Sequence, residues 1–103
     1  MVEQIDQDSI QEVENSDEVW VIDFWAEWCA PCKKLAPVFE EVSEEMDKPN
    51  FGKVDMQESQ QLGTKYGVRA LPTLLIIKNG EEVSRTSGAM KKEELKNWIK
   101  ENV

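Results

Sequence analysis

Histidine is absent from this sequence, and its 103 residues contain only two cysteines and one tyrosine. Without histidine, Ser/His/Asp and Cys/His nucleophilic catalysis both fall away, and so do the usual ligands of catalytic zinc. Whatever chemistry the chain performs has to come from thiols, carboxylates and lysines. Positive charge is also scarce: 12 Lys and Arg stand against 21 Asp and Glu, a net charge of −9. That balance lacks the basic footprint expected of a partner for nucleic acid or an anionic membrane. It reads instead as a solvated, self-repelling surface, or as a field that steers toward a basic face on a partner protein. Long apolar runs are missing too. The longest, from Leu71 to Ile77, is far shorter than a membrane span. Met1 is followed by Val-Glu-Gln-Ile-Asp-Gln-Asp, without the basic start or apolar core of a signal peptide. The expected setting is the cytoplasm, where thiols are kept reduced.

What is present suits one small domain, residues 1–103, built on one core. Hydrophobic residues make up 40% and charged residues 32%, the balance of a soluble globular protein. No repeat, linker or low-complexity tract interrupts it. A short strand is expected near Glu3–Ile5. Ser9 with Glu12 reads as a capping box, ahead of Ile10 and Val13 on one helical face. The run from Trp20 to Trp25 is almost wholly apolar and suits a strand buried on both faces. Leu35, Val38, Phe39, Val42 and Met46 recur at helical spacing, in a helix that starts near Cys32 or just before it. Pro37 falls inside that helix and should kink it.

Phe51, Val54 and Met56 suggest a short strand. Leu62 and Tyr66 suggest a short helix stopped by Gly67. Thr73 to Ile77 is a second apolar strand, and Asn79-Gly80 signals a hairpin returning along Glu82 to Thr86. Leu95, Trp98 and Ile99 mark the apolar stripe of a closing helix. This alternation predicts an α/β fold of three layers, α/β/α. Helices lie on both faces of a central mixed sheet, and the hairpin supplies an antiparallel edge strand.

Cys29-Ala30-Pro31-Cys32 follows a buried strand and opens a helix. The first turn of a helix carries unpaired N–H groups and the positive end of the helix dipole. Both favour a thiolate, which is the nucleophilic form. The two-residue spacing lets a second thiol reach the first, so a mixed disulfide made by one cysteine can be resolved by the other. Pro31 suits the first turn because its missing N–H is not needed there. Duller alternatives stand beside this one. A structural disulfide closing so short a loop contributes only about 2 kcal/mol. A zinc site lacks a second ligand pair within the chain. Inert thiols are the third alternative.

The stretch Val21-Ile22-Asp23-Phe24-Trp25-Ala26-Glu27-Trp28-Cys29-Ala30-Pro31-Cys32-Lys33 closely resembles the active-site region of the thioredoxin family. So do Tyr66-Gly67-Val68-Arg69-Ala70-Leu71-Pro72-Thr73-Leu74 and Lys78-Asn79-Gly80-Glu81. The similarity runs from about Val19 to the C-terminus and is compatible with the shorter N-terminal part. A CxxC alone is weak. A Trp-Cys-x-Pro-Cys motif preceded by an acid in an apolar strand and followed by Leu-Pro-Thr is specific.

The resemblance implies a thioredoxin-like domain that reduces disulfides in substrate proteins. It implies Cys29 as the attacking cysteine, Cys32 as the resolving one, and a redox-active Cys29–Cys32 disulfide. Asp23 matches the family's buried acid, which takes the proton of the resolving thiol. That agrees with the physics, since desolvation inside an apolar run raises a carboxyl pKa toward neutrality. Lys53 matches the lysine on the neighbouring strand that tunes this acid, and Pro72 matches the family's cis-proline. Leu71 would offer backbone groups to an extended substrate segment, a form of strand addition. Trp28, Ala30, Pro31, Leu71, Pro72, Gly88 and Ala89 match the flat apolar docking surface, whereas Trp25 reads as core and Pro37 as architectural.

The family resemblance further implies no bound cofactor or metal, a monomer, and recycling by a thioredoxin reductase that draws on NADPH through flavin or on another donor. Three departures bear on potential and partner choice: Ala30 replaces the commoner glycine, Ala70 stands where a glycine is frequent, and Gln57 stands where many relatives carry an acid. Rival functions are a disulfide oxidase or isomerase, a binding subunit whose redox chemistry is incidental, and a dimer bridged by metal through two CxxC motifs.

Overall fold

The computed structural model describes Met1–Val103. The elements run β1 (Val2–Gln4), α1 (Ile10–Glu14), β2 (Val19–Trp25), α2 (Ala30–Glu45), β3 (Asn50–Asp55), α3 (Gln60–Lys65), β4 (Thr73–Lys78), β5 (Glu81–Ser87) and α4 (Lys92–Asn102). The five strands form one mixed sheet in the order β1-β3-β2-β4-β5. β3 is parallel to both β1 and β2, while β4 is antiparallel to β2 and to β5. The expected α/β/α layering follows from how β2 and β4 alternate. Trp20, Ile22 and Phe24, with Leu75 and Ile77, pack against Ile10 and Val13 of α1 and Leu62 of α3. Val21, Leu74 and Ile76 pack on the other face against Leu35, Phe39 and Val42 of α2 and Leu95 and Ile99 of α4. Successive side chains of a strand point to opposite faces, so one apolar run serves both cores.

Several local readings shift. The first cap lies three residues upstream of the Ser9/Glu12 pair: Asp6 Oδ1 accepts from the Ser9 N–H at 2.8 Å, and Ser9 Oγ accepts from the Asp6 N–H at 2.9 Å. This reciprocal pair is the capping-box arrangement with Asp6 leading, and Glu12 takes no part in it. Strand β1 is one residue earlier than expected. Met46 is the C-cap of α2 and not a member of the helix, and Met56 lies just past β3. A cis bond precedes Pro49, which nothing in the sequence signals. Pro37 lies within an unbroken α2. Gly67, at φ +65°, takes the left-handed position that ends α3, as its place in the sequence suggests.

The β4–β5 hairpin turns on Asn79 and Gly80, at φ +53° and +77°. Two successive positive φ values suit the twist of a two-residue hairpin. Beyond the turn the pairing slips by one residue: Ile77 faces Glu82, but Ile76 faces Ser84. Val83 is therefore the extra residue of a β-bulge. α1 and α3 are tied by Glu14, whose Oε2 accepts from Lys65 Nζ and from Tyr66 Oη, both at 2.6 Å.

Gly67 and Gly80 provide a graded test of this frame. A Cβ on Gly67 meets nothing within 4 Å, so Gly67→Ala should cost only the left-handed backbone penalty, about 1–2 kcal/mol. A Cβ on Gly80 would also strike the Glu14 carbonyl at the end of α1. Gly80→Ala should accordingly lower stability by more, about 3 kcal/mol in urea unfolding. Equal losses for the two variants would rule out tight seating of the hairpin on α1.

Candidate active site

The loop after β2 delivers Cys29 to the N-cap of α2. Cys29 has extended backbone (φ −92°, ψ 108°), and its Sγ accepts from the Cys32 N–H at 3.2 Å. Ala30 and Pro31 occupy the first turn, where Pro31 costs no hydrogen bond. Cys29 and Cys32 are disulfide-bonded, with Cα atoms 5.3 Å apart, inside the range such a bond requires. Both cysteines are buried and form a small cluster with Ala26, against which Trp25 and Leu71 pack. The expected loop-to-helix placement of the pair is present.

Asp23 lies on β2 with Val21 and Trp25 on the α2 side of the sheet. It is 4% exposed, and its Oδ1 has no hydrogen-bond partner. Burial is the larger influence and lifts its pKa from 3.8 to about 7, while the Lys53 charge pulls it back down. Asp23 and Cys32 line one pocket of about 140 Å³ with Lys53, Phe39 and the charged Glu27, Lys33 and Glu40. That volume admits water beside the Asp23 carboxyl and Cys32.

Lys53 pairs in register with Asp23 across the parallel β2–β3 ladder. Its ammonium makes no ion pair with the carboxylate. It sits over the Trp25 ring, 5.7 Å from the centroid. Trp25 is thus more than core: it lies between the disulfide cluster and the lysine. Strand alternation puts Trp25 on the face of Asp23, but sequence reasoning misses this contact because only the β2–β3 register brings Lys53 over its ring.

The residues expected to form a docking surface divide by exposure. Trp28 is 71% exposed, the most open aromatic side chain of the chain. Ala30, Pro31 and Ala89 are exposed, Leu71 and Gly88 are half-buried, and Pro72 is buried. The Leu71–Pro72 bond is cis, as the resemblance implied. Gly88, at φ +92°, donates its N–H to the Pro72 carbonyl at 2.9 Å. Thr73 Oγ1 donates to the Ala70 carbonyl at 2.5 Å. Trp28 and Leu71 face one another across a groove of about 370 Å³ shared with Met56, Gln57, Gln60, Val68 and Arg69. Gln57 Oε1 accepts from the Glu27 N–H at 3.3 Å and so ties the end of β3 to the loop before Cys29. No cluster of three or more Cys, Asp or Glu side chains is arranged to hold a metal ion. No helix is long and apolar enough to cross a membrane.

Comparison with known proteins agrees along the length of the chain. The family model described as Thioredoxin matches residues 1–101. The chain is 40% identical to the thioredoxin of Buchnera aphidicola over 104 aligned positions, covering 100% of this chain and 96% of that protein. It is 45% identical to the thioredoxin of Bacillus subtilis over 91 positions, covering 87% and 88%. Among solved structures, the thioredoxin of Malassezia sympodialis superimposes with a TM-score of 0.87 at 39% identity, over 99% of this chain and 90% of that one. With matches of this extent and a Cys29–Cys32 disulfide at the head of α2, the chain belongs to the thioredoxin family of dithiol–disulfide oxidoreductases.

Proposed function

We propose that Cys29 is the attacking thiol, Cys32 the resolving thiol, and Asp23 the group that takes the proton of Cys32. The protein itself is a protein-disulfide reductase working by dithiol–disulfide exchange, and it acts with disulfide-bearing substrates and a partner reductase. In the first step the Cys29 thiolate attacks one sulfur of a substrate disulfide. A mixed disulfide forms, and the other substrate sulfur leaves as a thiolate. In the second, Cys32 gives its proton to the Asp23 carboxylate and attacks Cys29 Sγ. The Cys29–substrate bond breaks and the second substrate sulfur leaves as a thiolate. Both substrate thiolates take up protons from solvent, Asp23 later returns its proton to solvent, and the protein keeps the Cys29–Cys32 disulfide. Two electrons have passed to the substrate. The observation that carries this assignment is the shared pocket of Asp23 and Cys32 behind the disulfide.

The Cys32 N–H that points at Cys29 Sγ supports the attacking role, since it would stabilise a thiolate there. Lys53, held over Trp25, lowers the Asp23 pKa by its charge without pairing with it. Trp28, Ala30, Pro31, Leu71, Pro72, Gly88 and Ala89 form the docking face, where the Leu71 backbone pairs with an extended substrate segment. The cycle needs no cofactor or metal on this chain. A reductase using NADPH through flavin, or another donor, restores the dithiol. The protein acts as a monomer in the cytoplasm.

Thiol trapping tests the order of attack. Cys32→Ser should accumulate a mixed disulfide with a protein substrate, whereas Cys29→Ser should accumulate none, as read by non-reducing electrophoresis. Trapping through the opposite cysteine would reverse the roles. A partner complex undiminished in the double Cys→Ser variant would favour a binding subunit instead.

The reduction potential tests direction. Equilibration against a thiol buffer should give a value near or below about −250 mV, toward the reference of about −270 mV for thioredoxins. A value above about −200 mV would make an oxidase or isomerase the better assignment.

Asp23 links chemistry to stability. Its folded pKa, about 7, lies above the 3.8 of an unburied carboxyl, so its contribution is full below pH 3.8 and is lost as pH rises through 7. The stability of Asp23→Asn relative to wild type should therefore rise by about 4 kcal/mol between acid and neutral pH, then level off. The same variant should slow resolution of the mixed disulfide near pH 7. A pH-independent stability gap would remove Asp23 from the proton path.

A further inference from the structure

Arg85 lies on edge strand β5, outside the cysteine site, yet its guanidinium reaches the other side of the docking loop. Its Nη2 donates to the Tyr66 carbonyl at 2.6 Å, and its Nη1 donates to the Gly67 carbonyl at 3.3 Å. These are the carbonyls at the end of α3, which otherwise lack intrahelical partners. The same guanidinium is fixed from behind by Glu82, with Nε to Oε2 at 2.6 Å and Nη2 to Oε1 at 2.7 Å. Both residues lie at the surface, and the hydrogen bonds hold their side chains at 37% and 30% exposure. A planar fork that bridges a carboxylate and two carbonyls is a geometry lysine cannot reproduce.

Glu82 and Arg85 are three apart and would point to opposite faces of a regular strand. The bulge at Val83 changes that. Glu82 faces Ile77 and Arg85 faces Leu75, and both of those residues pack toward α1 and α3. The bulge thereby aims acid and base together at the end of α3, one recognised use of such irregularities.

Downstream of that anchor run Val68, Arg69, Ala70, Leu71 and cis-Pro72. The Val68 N–H donates to the Gly63 carbonyl at 2.8 Å, and Gly88, the residue after β5, donates its N–H to the Pro72 carbonyl. The loop is thus held at both ends from this side, by Arg85 of β5 at its root and by Gly88 just past β5 at Pro72. Between them Arg69 and Ala70 are exposed and Leu71 is half-buried against the disulfide cluster.

We infer that the bulge-aligned Glu82–Arg85 pair is a positioning device for protein substrates: it fixes the root of the loop that presents the Leu71 backbone beside Cys29. This rests on the docking role given above to Leu71. Arg85 touches neither sulfur. It acts through the loop, so it should govern how a polypeptide is held and not how thiols exchange.

Reduction of insulin, a protein disulfide, should be compared with reduction of a small aromatic disulfide that needs no loop. Arg85→Gln should raise KM for insulin about five- to tenfold, with kcat, the small-disulfide rate and the reduction potential all within about twofold of wild type. Glu82→Gln keeps one acceptor and should raise KM by about two- to threefold, and Arg85→Lys should recover little of the loss. Lys65→Met, which breaks the Glu14 contact on the same α3 without reaching the loop, serves as the control for simple destabilisation. Three results would overturn the inference: an unchanged KM in Arg85→Gln, an equal loss with the small disulfide, or the same rise in Lys65→Met. Failure of the wild-type protein to reduce insulin would instead overturn the assignment beneath it.

Discussion

A carboxyl group buried in the middle of a sheet is the constraint around which this molecule is arranged. β2 has β3 on one side and β4 on the other, and helices cover both faces, so its centre is shielded from bulk water except through the small pocket beside Asp23. Five of its seven residues are buried, and one of those five is Asp23. Alternation along the strand sends Phe24 to one core and Asp23 to the other. Asp23 therefore lies beneath α2, the helix that begins at the cysteines. The parallel pairing of β2 with β3 then brings Lys53 into register with it. Shifting β2 by one residue would move the acid to the wrong core and separate it from the thiols.

Two opposing effects act on that acid, and their sizes set where it titrates. A direct ion pair with Lys53 would hold the carboxyl low and leave it a poor base. Full burial without any cation would keep it protonated at neutral pH. Holding the lysine over Trp25 leaves burial as the larger influence and the cation as a partial correction, so the group titrates near neutrality. The cost falls on the folded state, which carries a poorly solvated charge whenever Asp23 is ionised. Strain of this kind is common where a group is retained for chemistry and not for stability.

Features set by neighbours along the chain are legible in the sequence itself. Asn79-Gly80 marks its hairpin, Gly67 its helix end, and the run from Trp20 to Trp25 its double burial. The cysteine spacing and its flanking residues point to the chemistry, whereas the cis bond before Pro72 is implied only by resemblance to the thioredoxin family. Contacts between distant segments are not legible there. Arg85 meets Tyr66 and Gly67 across 18 or 19 residues of chain, and only after a bulge has realigned it. The Lys53–Trp25 contact depends on strand register, which spacing does not reveal. The cap of α1 is misread for a local reason. Asp6 and Ser9 satisfy one another, so Ser9 serves as the third residue of the box and not its first. Two overlapping patterns fit the sequence, and the hydrogen bonds distinguish them.

The bulge at Val83 has a consequence for the outer boundary of the sheet. An edge strand offers a row of unpaired N–H and C=O groups that another strand can join, and such edges seed aggregation. β5 is interrupted at Val83 and flanked there by Glu81, Glu82 and Arg85, so it makes a poor template for a second copy. The opposite edge, β1, is only three residues long. With both flanks of the sheet blunted, neither edge offers a ready template for strand addition by a second copy of the chain.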